Sequence, residues 1–175
     1  MIGKLTGTVD RITQDGLILD VGGVGYVVFA SAETGRGLAA GSAASLLIET
    51  HIREDHIHLF GFASAAEQDW FRLLTSVQGV GGRVALSILS VLAPDELALA
   101  IAAQDKRALT RADGVGPRLA SRITSELKDR AGAATLSPAS PTAGVAAAPA
   151  GVVSEAVSAL VNLGFDRSAA MSAVS

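Results

Sequence analysis

The hydrophobic pattern of this chain changes period near residue 63, and that change constrains the fold more than any other feature. Before it, apolar β-formers recur in short runs: Leu17-Ile18-Leu19, Tyr26-Val27-Val28-Phe29, Leu46-Leu47-Ile48 and Ile57-His58-Leu59-Phe60. Gly and Asp punctuate them, as at Asp15-Gly16 and Val21-Gly22-Gly23-Val24-Gly25, which is the pattern of strands joined by tight turns. Five or so short strands in so small a segment predict an antiparallel barrel, and the OB-fold is one such solution. After it, apolar residues recur at helical spacing: Trp70, Phe71, Leu74 and Val77, then Val84, Ile88 and Leu92, then Leu119, Ile123 and Leu127. Pro94-Asp95-Glu96 opens a further helix, with proline and acids in its first turn. The expectation is an α+β, multidomain chain: a barrel over residues 1–63, followed by an all-α domain over 64–131.

Residues 132–151 are almost entirely Ala, Gly, Ser, Thr and Pro, and hold three of the five prolines, Pro138, Pro141 and Pro149. Such a composition buries too little apolar area to offset its ordering entropy and reads as a flexible linker. Helical spacing returns at Val153, Val157, Leu160 and Val161. Asn162-Leu163-Gly164-Phe165 follows as a turn, so residues 152–175 read as a small helical domain with length for about two helices.

Charge is distributed unevenly. The net charge of −3 alone argues against nucleic acid, whose phosphates need cations. Residues 1–62, however, carry four Lys/Arg against seven Asp/Glu, whereas residues 63–131 carry nine against eight. The chain has no cysteine, which removes disulfides, thiolate metal sites and cysteine nucleophiles. No window approaches a membrane span, and the Met1-Ile2-Gly3-Lys4 start has no export signal, so a cytoplasmic protein is expected.

The motif that carries chemistry is a repeated turn. Gly79-Val80-Gly81 is followed by Gly82-Arg83-Val84, and Gly114-Val115-Gly116 by Pro117-Arg118-Leu119. Glycine permits positive φ and close backbone approach, valine can plug the gap between two helices, and the free amides opening the second helix form an anion site favoured by the helix dipole. One such turn could equally be a plain connection between packed helices. Two copies 35 residues apart, each with an arginine just inside the second helix, point instead to a paired grip on phosphates. Arg118, Arg122 and Ser125 also form a polar stripe opposite Leu119, Ile123 and Leu127. Amide contacts of this kind position DNA without reading its bases. No stretch matches the phosphate-binding loop of ATPases. His51, His56 and His58 are close in sequence, but no carboxylate cluster accompanies them, so they read as a polar strand face and no metal or other cofactor is expected. Trp70 and Phe71 read as core.

Taken in order, these residues resemble the RuvA family, the Holliday-junction-binding subunits of a bacterial branch-migration motor. The resemblance rests on Met1-Ile2-Gly3, Val21-Gly22-Gly23-Val24-Gly25-Tyr26, Arg53-Glu54-Asp55, Leu59-Phe60-Gly61-Phe62, both Gly-Val-Gly turns and Lys128-Asp129-Arg130. It runs across residues 1–131 and, more weakly, 152–175. It implies an OB-fold barrel, a domain with two helix-hairpin-helix motifs, and a mobile UBA-like helical domain. It further implies a non-catalytic homotetramer, one or two per junction, that holds a four-way junction open and planar in recombination and repair. Its motor partner would be the hexameric ATPase RuvB, with the RuvC resolvase in a larger complex. DNA contact would fall to Gly79, Val80, Gly81, Arg83, Gly114, Val115, Gly116, Arg118 and Arg122, and RuvB contact to Leu160, Leu163, Gly164 and Phe165. Glu54 and Asp55 would form a central acidic pin that repels phosphates at the crossover. Gly82 departs from the proline, and Pro117 from the lysine, common at those positions in the family. Two rival readings are a generic helix-hairpin-helix duplex binder and a glycosylase or nuclease. The latter needs a catalytic Lys or Asp cluster that Asp95 alone does not supply.

Overall fold

The computed structural model describes residues 1–52 and 57–134, with side-chain surroundings up to residue 128. Five strands close into a barrel: β1 (Lys4–Thr13), β2 (Gly16–Val21), β3 (Val24–Ala30), β4 (Ala43–Ile52) and β5 (Ile57–Phe62). Their order around it is β1-β2-β3-β5-β4, with β3 and β5 parallel and the other pairs antiparallel. β1 pairs with both β2 and β4, and a register shift between Val9 and Arg11 bends it between the two, as a bulge does where a small barrel must turn a corner. Leu5, Val9, Leu17, Leu19, Val28, Leu46, Ile48 and Leu59 fill the interior. The alternation of buried Leu17 and Leu19, and of Leu46 and Ile48, reflects the two-residue period of a strand with one face inward.

A one-and-a-half-turn helix, α1 (Ala32–Arg36), connects β3 to β4. Ser31 caps it, its hydroxyl accepting from the Thr34 N–H at 3.1 Å. So short a helix owes its position to tertiary contacts. The buried Glu67 carboxylate accepts from the Ser31 and Thr34 hydroxyls, the latter at 2.6 Å. Thr34 Oγ1 in turn accepts from the Ala63 N–H at 3.1 Å.

The helical domain consists of α2 (Ala65–Thr75), α3 (Gly82–Val91), α4 (Pro94–Ala102), α5 (Lys106–Leu109) and α6 (Pro117–Ala134). Proline begins α4, and the Glu96 carboxylate accepts from the Ala93 N–H at 3.2 Å. α6 continues three residues beyond the expected limit at 131, through Gly132-Ala133-Ala134. The core of this domain joins the last barrel strand to the helices, because Phe60 and Phe62 belong to the same buried cluster as Trp70, Phe71, Leu74, Ile88 and Ile123. Phe71 is fully buried, with ring centroids 4.9 Å from both Phe60 and Phe62. Trp70 and Phe71 are thus core, as their spacing suggests. His51 and His58 pair across β4 and β5 and pack in the same aromatic stack, against Phe60 and Phe29, so they are half-buried packing groups and not the polar strand face expected. Among the described residues no helix is long and apolar enough to cross a membrane.

Candidate nucleic-acid interface

Each Gly-Val-Gly turn joins two helices, α2 to α3 and α5 to α6. Gly79 and Gly114 have φ of 94° and 82°, a left-handed backbone that costs any residue with a Cβ. The Val80 N–H donates to the Val77 carbonyl at 3.0 Å, and the Val115 N–H to the Ala112 carbonyl at 3.2 Å. Both valines are buried under their turns. The next helices begin with Ala85 N–H to Gly81 O and Ala120 N–H to Gly116 O, each 2.9 Å. A shift of 35 residues therefore equates the two motifs bond by bond, and it pairs buried Leu74 with Leu109, Val77 with Ala112, and Ile88 with Ile123. The equivalence extends to packing. A Cβ on Gly114 would lie 3.2 Å from a Val84 methyl, and one on Gly79 would lie 3.5 Å from the equivalent Leu119 methyl. Each turn rests on the second helix of the other motif.

The turns leave helix N-termini open. Gly81 caps α3 in an extended conformation and no side chain bonds to that cap. The N–H groups of Gly82, Arg83 and Val84 have no carbonyl one turn earlier to bond, and the positive end of the helix dipole adds to them. In α6, Pro117 takes the first position and brings no N–H, leaving those of Arg118 and Leu119. All four turn glycines are exposed. Two such ends suit two anions.

The arginines differ more than their spacing suggests. The Arg83 guanidinium lies over the Phe29 ring of the barrel, 5.6 Å from its centroid, a cation–π contact. Arg118 is exposed, and among the described residues it makes no ion pair. Arg122 donates from Nη1 to the Gln78 carbonyl at 2.9 Å, and its Nε lies 3.9 Å from a Glu126 oxygen. Arg118, Arg122 and Ser125 are exposed together as expected, but Glu126 brings a negative charge to the same face. Sequence reasoning passed over Arg111, which with Arg83 and Arg36 lines a cleft of about 600 Å³ between the barrel and α3. Just after a short helix it carries no distinguishing signal; only packing brings it to the cleft that Arg83 also lines.

Glu54 and Asp55, the expected acidic pin, lie outside the described residues, as do Leu160, Leu163, Gly164 and Phe165. The pairing of β4 with β5 is described up to Ile52 opposite Ile57. Among the described residues no group of His, Asp and Glu could hold a metal ion.

Residues 1–61 match the family model described as the RuvA N terminal domain, and residues 71–129 match a SAM-like helix-hairpin-helix tandem. Relatives are similar over nearly the whole chain. The protein named Holliday junction branch migration complex subunit RuvA from Rhodospirillum centenum is 59% identical, over 99% of this chain and 87% of that protein. Proteins of the same name from Rhizobium meliloti and Acidiphilium cryptum are 56% and 54% identical, over 99% and 100% of this chain and 87% and 88% of their own lengths. A barrel followed by a tandem helix-hairpin-helix domain, with this identity over this length, is sufficient: the chain belongs to the RuvA family.

Proposed function

We propose that this protein is a non-catalytic, structure-specific binder of four-way junction DNA that holds the junction open for a branch-migration motor. The observation that supports the reading best is the near-symmetric pair of uncapped helix N-termini behind Gly79-Val80-Gly81 and Gly114-Val115-Gly116. Two anion sites in one domain suit backbone phosphates of one duplex arm, with Arg83 and Arg118 adding charge and Arg122 beside the first turn. Amide contacts are indifferent to base sequence, which is what a protein that must follow a moving junction needs. Relatives that carry the name of a branch migration complex subunit support the same reading.

In this reading one tetramer, or two face to face, encloses the crossover in the cytoplasm, where the chromosome is. Glu54 and Asp55 of each copy point toward the centre and repel phosphates there, while the glycine turns hold the arms outside. The negative charge of the barrel segment then opposes collapse of the arms. Leu160, Leu163, Gly164 and Phe165 contact the RuvB motor, which supplies the ATP hydrolysis, and RuvC joins a larger assembly.

Competition binding tests this. Unlabelled four-way junction should displace labelled junction far better than linear duplex of the same sequence does; equal competition would leave only a generic duplex binder. Strand cleavage on incubation with junction and Mg²⁺ would overturn the non-catalytic assignment. Arg118→Ala should weaken junction binding and lower the salt dependence of log K by about one unit, the effect of one lost phosphate contact.

A further inference from the structure

The two turns are equivalent in backbone but not in what restrains them. After its left-handed glycine the second turn has one further glycine and then Pro117, whose ring fixes φ at the first helical position. The first turn has two further glycines, Gly81 and Gly82, and glycine leaves a backbone the most conformations to lose. It also has a restraint that the second turn lacks. Arg122, on α6, donates to the Gln78 carbonyl at 2.9 Å, across a separation of 44 residues. Its Nη1 lies 3.8 Å from where a Cβ on Gly79 would be. The 35-residue shift equates Arg122 with Ser87, whose side chain is far shorter, and no hydrogen bond to the Asp113 carbonyl is found among the described residues.

The bonded atom matters for anion binding. The Gln78–Gly79 peptide directly precedes the left-handed residue, so rotating that peptide would redirect the whole turn. A carbonyl turned toward the anion would also set a negative dipole end against the phosphate. The guanidinium is planar, permanently charged and forked; one prong holds the carbonyl, and Glu126 lies on another side.

We infer that Arg122 is a positioning residue: from the second motif it fixes the Gln78 carbonyl and so keeps the proline-free first turn in its phosphate-accepting shape. Through this bond the second motif's long helix sets the geometry of the first motif's site, and the two sites act as one unit. The inference rests on the phosphate-binding reading of the turns and gives Arg122 a role through the backbone.

The test uses Arg122→Met in the full-length chain, which keeps the stem and removes the fork at an exposed position. Amide hydrogen exchange without DNA reads the first turn at Val80 and Ala85 and the second at Val115 and Ala120, all four hydrogen-bonded within their turns. Exchange at Val80 and Ala85 should rise about fivefold, the size of one net hydrogen bond, with Val115 and Ala120 unchanged. Junction affinity should fall by a similar factor. Weakened binding with unchanged exchange would mean that Arg122 only touches a phosphate directly, and would overturn the inference. Faster exchange with unchanged binding would make the bond structural only, and would also overturn it. Arg118→Ala separates the two levels of the argument. If it leaves junction binding and its salt dependence unaltered, the phosphate reading fails; if it weakens binding while Arg122→Met does not, only the present inference fails.

Discussion

The two glycine turns share one backbone and reach it by different means. In the first, the position after Gly-Val-Gly is Gly82, and a Cβ there would come within 2.4 Å of the Phe60 ring. The barrel's buried aromatic stack occupies that space, so a Cβ there, a proline's included, would need the Phe60 ring to shift. In the second, the same position is Pro117, which faces no such ring and opens α6 with its φ already set. One turn keeps its amide and depends on Arg122 for shape; the other gives up an amide and is stiff on its own. A repeated motif can therefore conserve its geometry while its neighbours exchange an entropic restraint for an enthalpic one.

Stability measurements can break this comparison. The largest effect should come from Gly82→Ala, which drives a methyl into a buried ring and should cost about 1–3 kcal/mol by chemical denaturation. In a Phe60→Leu background the added cost should shrink; an equal cost in both backgrounds would mean that Phe60 is not what excludes a side chain. Next come the left-handed glycines. Gly114→Ala and Gly79→Ala should each cost about 1–2 kcal/mol, with Gly114 the more sensitive because the Val84 methyl is the closer neighbour. Val84→Ala should narrow the difference. Pro117→Ala should cost less, about 0.4–1 kcal/mol, through added freedom of the unfolded chain. A larger loss would give Pro117 a packing role that its exposure does not suggest. Smallest of all, Arg118→Ala should leave stability within about 0.5 kcal/mol while weakening junction binding, which separates a ligand contact from a structural one.

Much of the fold was legible where periodicity was strong. The runs at Leu17–Leu19, Tyr26–Phe29, Leu46–Ile48 and Ile57–Phe60 became β2 to β5, and the spacings at 70–77, 84–92 and 119–127 became the long helices. β1 was not legible as a run, because over Lys4–Thr13 only Leu5 and Val9 are buried. α1 and α5 span five and four residues, too short for a period to register. The turns were legible as helix-joining glycine turns because left-handed glycine and a helix start are local signals. The partners of those arginines were not: Phe29 under Arg83 and Gln78 beside Arg122 are distant in sequence.

By itself the sequence determined the order of domains, the two turns and their repeat, because backbone conformation at glycine and proline and the periods of helix and strand are properties of a few adjacent residues. Tertiary structure decided what each polar group does. Ser64 and Glu67 have the spacing of a local helix cap, and the Ser64 hydroxyl does accept from the Glu67 N–H at 3.2 Å. The Glu67 carboxylate, however, is buried against Ser31 and Thr34 and ties α1 to α2. Arg122 likewise reads from the sequence as a member of the polar stripe and an expected DNA contact, and folding brings it beside a carbonyl 44 residues away. Long polar side chains can reach many partners, and which one they meet depends on packing between elements that local sequence does not encode.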